Sequence, residues 1–174
     1  MATEFKREPL TPVETDRLVN ACKTQREKLI VWTLLGTGLR EEELAHLKVD
    51  NIQWQQGSIV VFGKGRDGKK KRRVVFMRED VKTLLRNHFA LNEGIGFEVS
   101  TIYRAVKRVA NRAGISKPVS PHVLRHTFAI DSLQRGVSVR ALQAILGHAD
   151  LRTTMFYLNM SNEEALDEFR RKLG

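Results

Sequence analysis

Cysteine is nearly absent from this chain: Cys22 stands alone among 174 residues. One thiol excludes a disulfide framework and a cysteine-based zinc site. Long apolar runs are also missing. The longest, Leu29 to Leu35, falls far short of the roughly 20 residues that a membrane-crossing helix needs. No internal repeat, low-complexity tract or interdomain linker interrupts the sequence, so residues 1–174 are expected to form one domain. The first residues, Met1-Ala2-Thr3-Glu4-Phe5-Lys6-Arg7-Glu8, are polar and do not resemble a signal peptide, so an intracellular protein is expected. Acidic side chains are in deficit, 20 against 30 basic ones, for a formal charge of +10. A balance this basic points to a polyanionic partner.

What is present concentrates in residues 120–157. Ser120 can cap a helix whose first residue is Pro121, where no donor is lost. His122 and Arg125, three residues apart, then project from one face of its first turn. Gly136 stops that helix, Ser138 caps the next, and Gly147 ends it just before His148. Asp150 caps a third short helix carrying Tyr157. Such an arrangement brings two histidines, a guanidinium and a phenol together. With a pKa near 10, only about one phenol in a thousand is ionised at neutral pH. It becomes a nucleophile when a base takes its proton and positive charge holds the electrophile. Arg125 offers a planar, permanently charged fork suited to phosphate, and histidine suits proton transfer near pH 7.

Upstream, Thr11-Pro12-Val13-Glu14 is a capping box that opens a helix over 11–22. A second helix, 25–35, is rich in Leu, Ile, Val and Trp and should be central to the core. Gly36-Thr37-Gly38 is read as a turn feeding a short helix in which Arg40 and Glu43 share a face, so Glu43 can orient Arg40. Ile52 to Trp54, Ser58 to Phe62 and Arg73 to Met77 are read as strands. Between the last two lies a glycine-punctuated hairpin tip with Lys64, Arg66, Lys69, Lys70, Lys71 and Arg72. Residues 64–73 carry +6 of the net +10, which fits docking against phosphates. Helices follow at 79–90 and 99–113. On the latter, Ile102, Ala105, Val109 and Ala113 face inward, while Arg104, Lys107, Arg108 and Arg112 form a basic stripe expected to track a second phosphate surface. Ser161-Asn162-Glu163-Glu164 caps a terminal helix with Leu166, Phe169 and Leu173 along one side.

Four boxes occur in register: Thr37-Gly38-Leu39-Arg40 with Glu43-Leu44; Gly63-Lys64-Gly65; Pro121-His122-Val123-Leu124-Arg125-His126-Thr127; and Leu146-Gly147-His148 with Tyr157 nine residues on. Together they resemble the tyrosine recombinase (phage-integrase) family, closest to its Xer-type and archaeal branch. The resemblance implies an α+β, mainly α-helical catalytic domain with a small three-stranded antiparallel sheet. It implies action on double-stranded DNA with no metal, nucleotide or other cofactor. Tyr157 would attack the scissile phosphate, forming a 3′-phosphotyrosyl link. Arg40 and Arg125 would clamp the non-bridging oxygens, and Lys64 would protonate the leaving 5′-oxygen. His122 would serve as general base or proton shuttle, His148 would donate a hydrogen bond to the phosphate, and Glu43 would buttress Arg40. Members usually carry an N-terminal DNA-clamping domain, whereas about ten residues precede the first helix here. The resemblance further implies a tetramer on DNA in the full-length setting, a monomer without DNA, and a cytoplasmic, nucleoid-associated location.

Other readings stay open on the residues alone. His122 and His126 have zinc-like spacing for a metal-dependent nuclease, but the intervening residues include Arg125 and no general-base glutamate. A DNA-binding module that does not cut, and a relaxing activity of the type IB topoisomerase kind, share many of the same features. His46 and His88 lie outside the boxes and are read as structural or surface residues.

Overall fold

Helix α2 (Gln25–Thr37) is buried on nearly every side, with Ile30, Val31, Thr33, Leu34 and Thr37 sealed from solvent. An all-round apolar helix has to be surrounded, and α2 packs against α1 (Pro12–Asn20), α3 (Glu41–Ala45), α4 (Glu79–Phe89), α5 (Val99–Arg112) and α6 (Pro121–Gln134). A short α7 (Val139–Leu146) follows α6 and packs against it. The computed structural model describes residues 8–64, 70–147 and 170–171, with backbone alone at Lys64, Lys70 and Lys71. Arg66, Lys69, His148, Tyr157, the helix expected after Asp150 and the apolar side of the terminal helix lie outside the described residues.

Local chemistry sets most element ends. Thr11 Oγ1 accepts from Glu14 N–H at 3.2 Å and Glu14 returns the favour to Thr11 N–H at 2.8 Å, completing the predicted capping box. Ser120 and Ser138 accept from Val123 N–H and Ala141 N–H, starting α6 and α7 where expected. One helix end differs. The turn read at Gly36 is absent: α2 continues through Gly36 to Thr37 and stops at Gly38, whose φ of 65° is left-handed. Gly36 is a glycine for a nonlocal reason, because a methyl there would sit 2.5 Å from Val81 Cγ2 of α4.

The sheet has three antiparallel strands in the order β1 (Ile52–Gln53), β2 (Ser58–Lys64), β3 (Lys70–Phe76), as expected. Its strands differ in length from the reading above. Trp54 falls outside β1, while β2 and β3 extend the hairpin to a Lys64–Lys70 pair. Ile59, Val61 and Val75 face the core, and Phe62, Val74 and Phe76 face solvent. The long core takes in α1 to α6 and the sheet, and a small satellite of Ala129, Leu142 and Leu146 joins α6 to α7.

On α5, Ile102, Ala105 and Val109 are buried as predicted, together with Val106 and Ala110. Two members of its basic stripe serve the fold. Arg112 donates to both Glu27 oxygens, at 2.9 and 3.2 Å, and to the Ala21 carbonyl; Arg108 Nε donates to Glu27 at 3.1 Å. Glu27, 2% exposed, also accepts from Lys23 N–H. The Arg112 hydrogen bonds outweigh burial and hold the Glu27 carboxyl at about 2, below the ordinary 4.5.

That depression has a defined sign. A lowered folded-state pKa stabilises above the unfolded value and loses its contribution as pH falls through the folded one. Glu27→Gln should cost about 1.5–3 kcal/mol at neutral pH, the worth of hydrogen bonds to a charged group. The gap between wild type and variant should close between about pH 4.5 and 2. Urea unfolding at a series of pH values measures it; a gap that persists at the acid end would show that the charge is immaterial.

Candidate active site

The first box becomes a helix start. Arg40 is the residue just before α3, and its backbone N–H donates to Glu43 Oε2 at 2.9 Å, so the acid three residues on caps its own helix. The Arg40 guanidinium lies 3.5 Å from Glu43 Oε1 with its side chain 36% exposed, whereas that of Glu43 is only 7% exposed. The predicted Arg40–Glu43 pairing is therefore present, but it is not the main restraint on the acid. Arg73 of β3 grips both carboxylate oxygens, Nη1 to Oε1 at 2.5 Å and Nη2 to Oε2 at 2.6 Å. Burial pushes the Glu43 carboxyl up. The Arg73 and Arg40 hydrogen bonds and the nearby charges of Arg73 and Arg125 outweigh that, so it lies below the usual carboxylate range and stays ionised.

Arg125 reaches the same neighbourhood from α6. It is 2% exposed, and its fork donates to two backbone carbonyls: Nη1 to Gly38 O at 2.5 Å and Nη2 to Leu146 O at 2.6 Å. The first is the terminus of α2 and the second is the last turn of α7, where carbonyls lack helical partners. One guanidinium thus closes two helix ends. His122, one turn earlier, is half-buried, and its ring meets the buried His126 edge-on, with centroids 4.6 Å apart at 76°. Among the described residues no group of three or more His, Cys, Asp or Glu side chains is placed to hold a metal ion.

Lys64 closes β2, and the residue before it touches the cluster. A methyl on Gly63 would lie 3.4 Å from Arg73 Nη1, 3.8 Å from Arg40 Nη1 and 3.9 Å from Glu43 Oε1. The hairpin backbone therefore runs against the arginine–carboxylate group one residue ahead of Lys64. An open cleft of about 680 Å³ lies alongside, lined among others by Arg40, Glu43, His46, Lys48 and Gly63. His46 is exposed and bonds the Glu42 carbonyl through Nδ1, and His88 Nε2 bonds Gly94 O, in keeping with surface and structural roles.

Arg40, Glu43, Arg125 and the Lys64 backbone thus converge. Arg72, Arg104 and Lys107 are exposed, with the Lys107 ammonium 5.5 Å from the Tyr103 ring centroid. The sequence reading missed Arg73 by counting it with the phosphate-facing ribbon. Because residues 74–77 are apolar on both faces, the phase of the strand shows only in the folded chain. Residues 73, 75 and 77 alternate with 72, 74 and 76, and Val75 and Met77 are core.

Comparison with known proteins places this arrangement. The phage integrase family model matches residues 8–164. The chain is 36% identical over 169 residues to "Tyrosine recombinase XerA" of Saccharolobus solfataricus, covering 95% of this chain and 56% of that protein. It is 32% identical to XerA of Pyrococcus horikoshii, over 88% of this chain and 57% of that one. The chain thus spans a little over half the length of these curated relatives. A crystal structure of XerA recombinase superposes with a TM-score of 0.77 at 32% identity, over 95% of this chain and 65% of that one. The Tn1549 transposon integrase, solved in complex with transposon right end DNA, shares the fold with a TM-score of 0.76 at 23% identity, over 99% and 68% of the two chains.

The left-handed residue beneath Arg125 is open to direct test. A methyl on Gly38 would lie 2.4 Å from Phe128 Cδ1 and 2.8 Å from Leu146 Cδ2. Gly38→Ala should therefore cost about 2–4 kcal/mol, from left-handed backbone and overpacking together. Gly136, with φ of 88° and no atom within 4 Å of such a methyl, isolates the backbone part. Gly136→Ala should cost only about 1–2 kcal/mol. Urea unfolding of the two variants makes the comparison; equal losses would mean that Phe128 and Leu146 yield freely.

Proposed function

The chain belongs to the phage integrase family, and from that premise we propose that it is the catalytic domain of a site-specific DNA recombinase. It would break and rejoin duplex DNA through a tyrosine, without a metal or nucleotide. The observation that carries this reading is the junction of three elements, where Arg40 and Arg125 both lie within electrostatic reach of one buried, ionised Glu43. Arg40, which lines the cleft, and Arg125, buried close by, would supply donors where a phosphoryl transition state gathers charge.

In this scheme Tyr157 Oη attacks phosphorus while the bond to the 5′-oxygen breaks. The phenolic proton passes to His122, and Lys64 delivers a proton to the departing 5′-oxygen, since an alkoxide leaves poorly. Arg40 and Arg125 bind the non-bridging oxygens, and His148 donates a further hydrogen bond. The product is a 3′-phosphotyrosyl ester and a free 5′-hydroxyl. Because the ester retains the bond energy, a hydroxyl from another strand can reverse the step, giving strand exchange. The hairpin residues Arg66, Lys69, Lys70, Lys71 and Arg72, with Arg104, Lys107 and Arg108 on α5, would track the DNA backbone. In the longer setting that the relatives represent, protomers would assemble as a tetramer on DNA in the cytoplasm, beside the nucleoid, and remain monomeric without it.

The test is trapping. Incubated with a pool of nicked suicide duplexes randomised around the nick, the chain should form a covalent adduct that survives chelation and maps to Tyr157. Tyr157→Phe should bind DNA and form none. Adducts persisting in that variant would remove Tyr157 as the nucleophile, and binding without adducts in the wild type would favour a non-cutting DNA-binding module. Exchange between two labelled duplexes separates recombination from relaxation.

Arg125→Lys keeps the charge but loses the fork. Cleavage should fall about a hundredfold or more, the scale of losing one transition-state donor, with little change in DNA affinity. Single-turnover rates and gel-shift affinities decide the matter. A parallel loss of affinity would make Arg125 a binding residue.

A further inference from the structure

One guanidinium in the site has no part in the scheme above. Arg73 is nine-tenths buried, its side chain 9% exposed, so it is poorly placed to meet a DNA backbone. All three of its nitrogens have defined acceptors. Nη1 and Nη2 take the two oxygens of Glu43, at 2.5 and 2.6 Å, and Nε donates to Ile145 O at 2.7 Å in the last turn of α7. Only an arginine fork can make these contacts at once.

The consequence concerns Arg40. Glu43 is a carboxylate in a low-dielectric pocket, 3.5 Å from the Arg40 guanidinium. Left without its second arginine, it would draw Arg40 into a closer pair and cancel charge needed at phosphate. With both oxygens taken by Arg73, the acid still caps Arg40 through its backbone N–H at 2.9 Å, while the Arg40 side chain remains 36% exposed at the cleft. Arg73 also fixes the end of α7 three residues ahead of His148 in sequence, and it borders Gly63, the residue before Lys64.

We propose that Arg73 is a positioning residue of the reaction: by saturating Glu43 and tying β3 to the end of α7, it holds Arg40 available for the scissile phosphate. The inference rests on the recombinase reading given above. It requires that an arginine counted among the DNA-facing charges act from inside the protein, on rate and not on binding.

Three variants of the full chain test it on a duplex that the wild type is found to cleave. Arg73→Ala should slow single-turnover adduct formation about tenfold or more, with DNA affinity and its salt slope unchanged, because a buried side chain releases no counterions. Arg73→Lys should be nearly as slow, since an ammonium cannot serve three acceptors. Adding Glu43→Gln to Arg73→Ala should restore part of the lost rate, about threefold or more, by removing the charge that captures Arg40. A purely structural Arg73 would give the opposite result, because deleting its partner too would restore nothing. If the double variant unfolds, full activity in Arg73→Lys overturns the proposal, and a slow Arg73→Lys with wild-type affinity supports it. Parallel losses of affinity and rate would make Arg73 a phosphate contact and overturn it as well. A wild-type chain that forms no adduct on any duplex would overturn the recombinase reading itself, an outcome distinct from normal wild-type cleavage that Arg73 variants leave unchanged.

Discussion

A single buried carboxylate, Glu43, organises the site. Taking such a charge out of water costs several kcal/mol unless it is paired and hydrogen-bonded, and removing one partner of a buried pair typically costs about 3–5 kcal/mol. Glu43 meets that requirement by drawing in Arg73 from β3 and the backbone N–H of Arg40 at the start of α3. Through Arg73 the constraint extends to the last turn of α7. Sheet, short helix and terminal helix turn are thereby fixed relative to one another by the electrostatic demand of one side chain.

Arg125 answers a different demand. Helix ends leave carbonyls without partners, and burying them unpaired is costly. The ends of α2 and α7 meet at Arg125, which donates to Gly38 O and Leu146 O. The left-handed Gly38 lets the chain leave α2 with Phe128 and Leu146 close at hand. A residue that the family resemblance assigns to phosphate is thus also a structural clamp. Its position is fixed by the same contacts that close the helices.

A second buried carboxylate, Glu27, repeats the pattern near the other end of α2, where it takes Arg108 and Arg112. In a chain with a surplus of +10, two buried carboxylates among the described residues, Glu27 and Glu43, are each matched to arginines from distant segments. Part of the basic charge is consequently paired with buried carboxylates, although Arg108 stays exposed at its outer side. Among the described residues, charge exposed to a polyanion lies on such side chains as Arg72, Arg104 and Lys107.

The sequence by itself determined what short-range chemistry determines. Thr11 with Glu14, Ser120 with Pro121, Ser138 and Gly147 marked helix ends because a cap bonds within three residues. Runs rich in β-branched residues marked the strands, and the pairing of Arg40 with Glu43 followed from one turn of helix. Hairpin length was less legible, because lysines at 64 and 70–71 continue the ladder without any apolar signal. Tertiary structure alone decided the rest. Gly36 is helical because Val81 of α4 arrives against it. Arg73 faces Glu43 across 30 residues of sequence, and Arg108 and Arg112 face Glu27 across 81 and 85. A charged side chain shows its sign in the sequence, but its partner is chosen by which segments the core brings together.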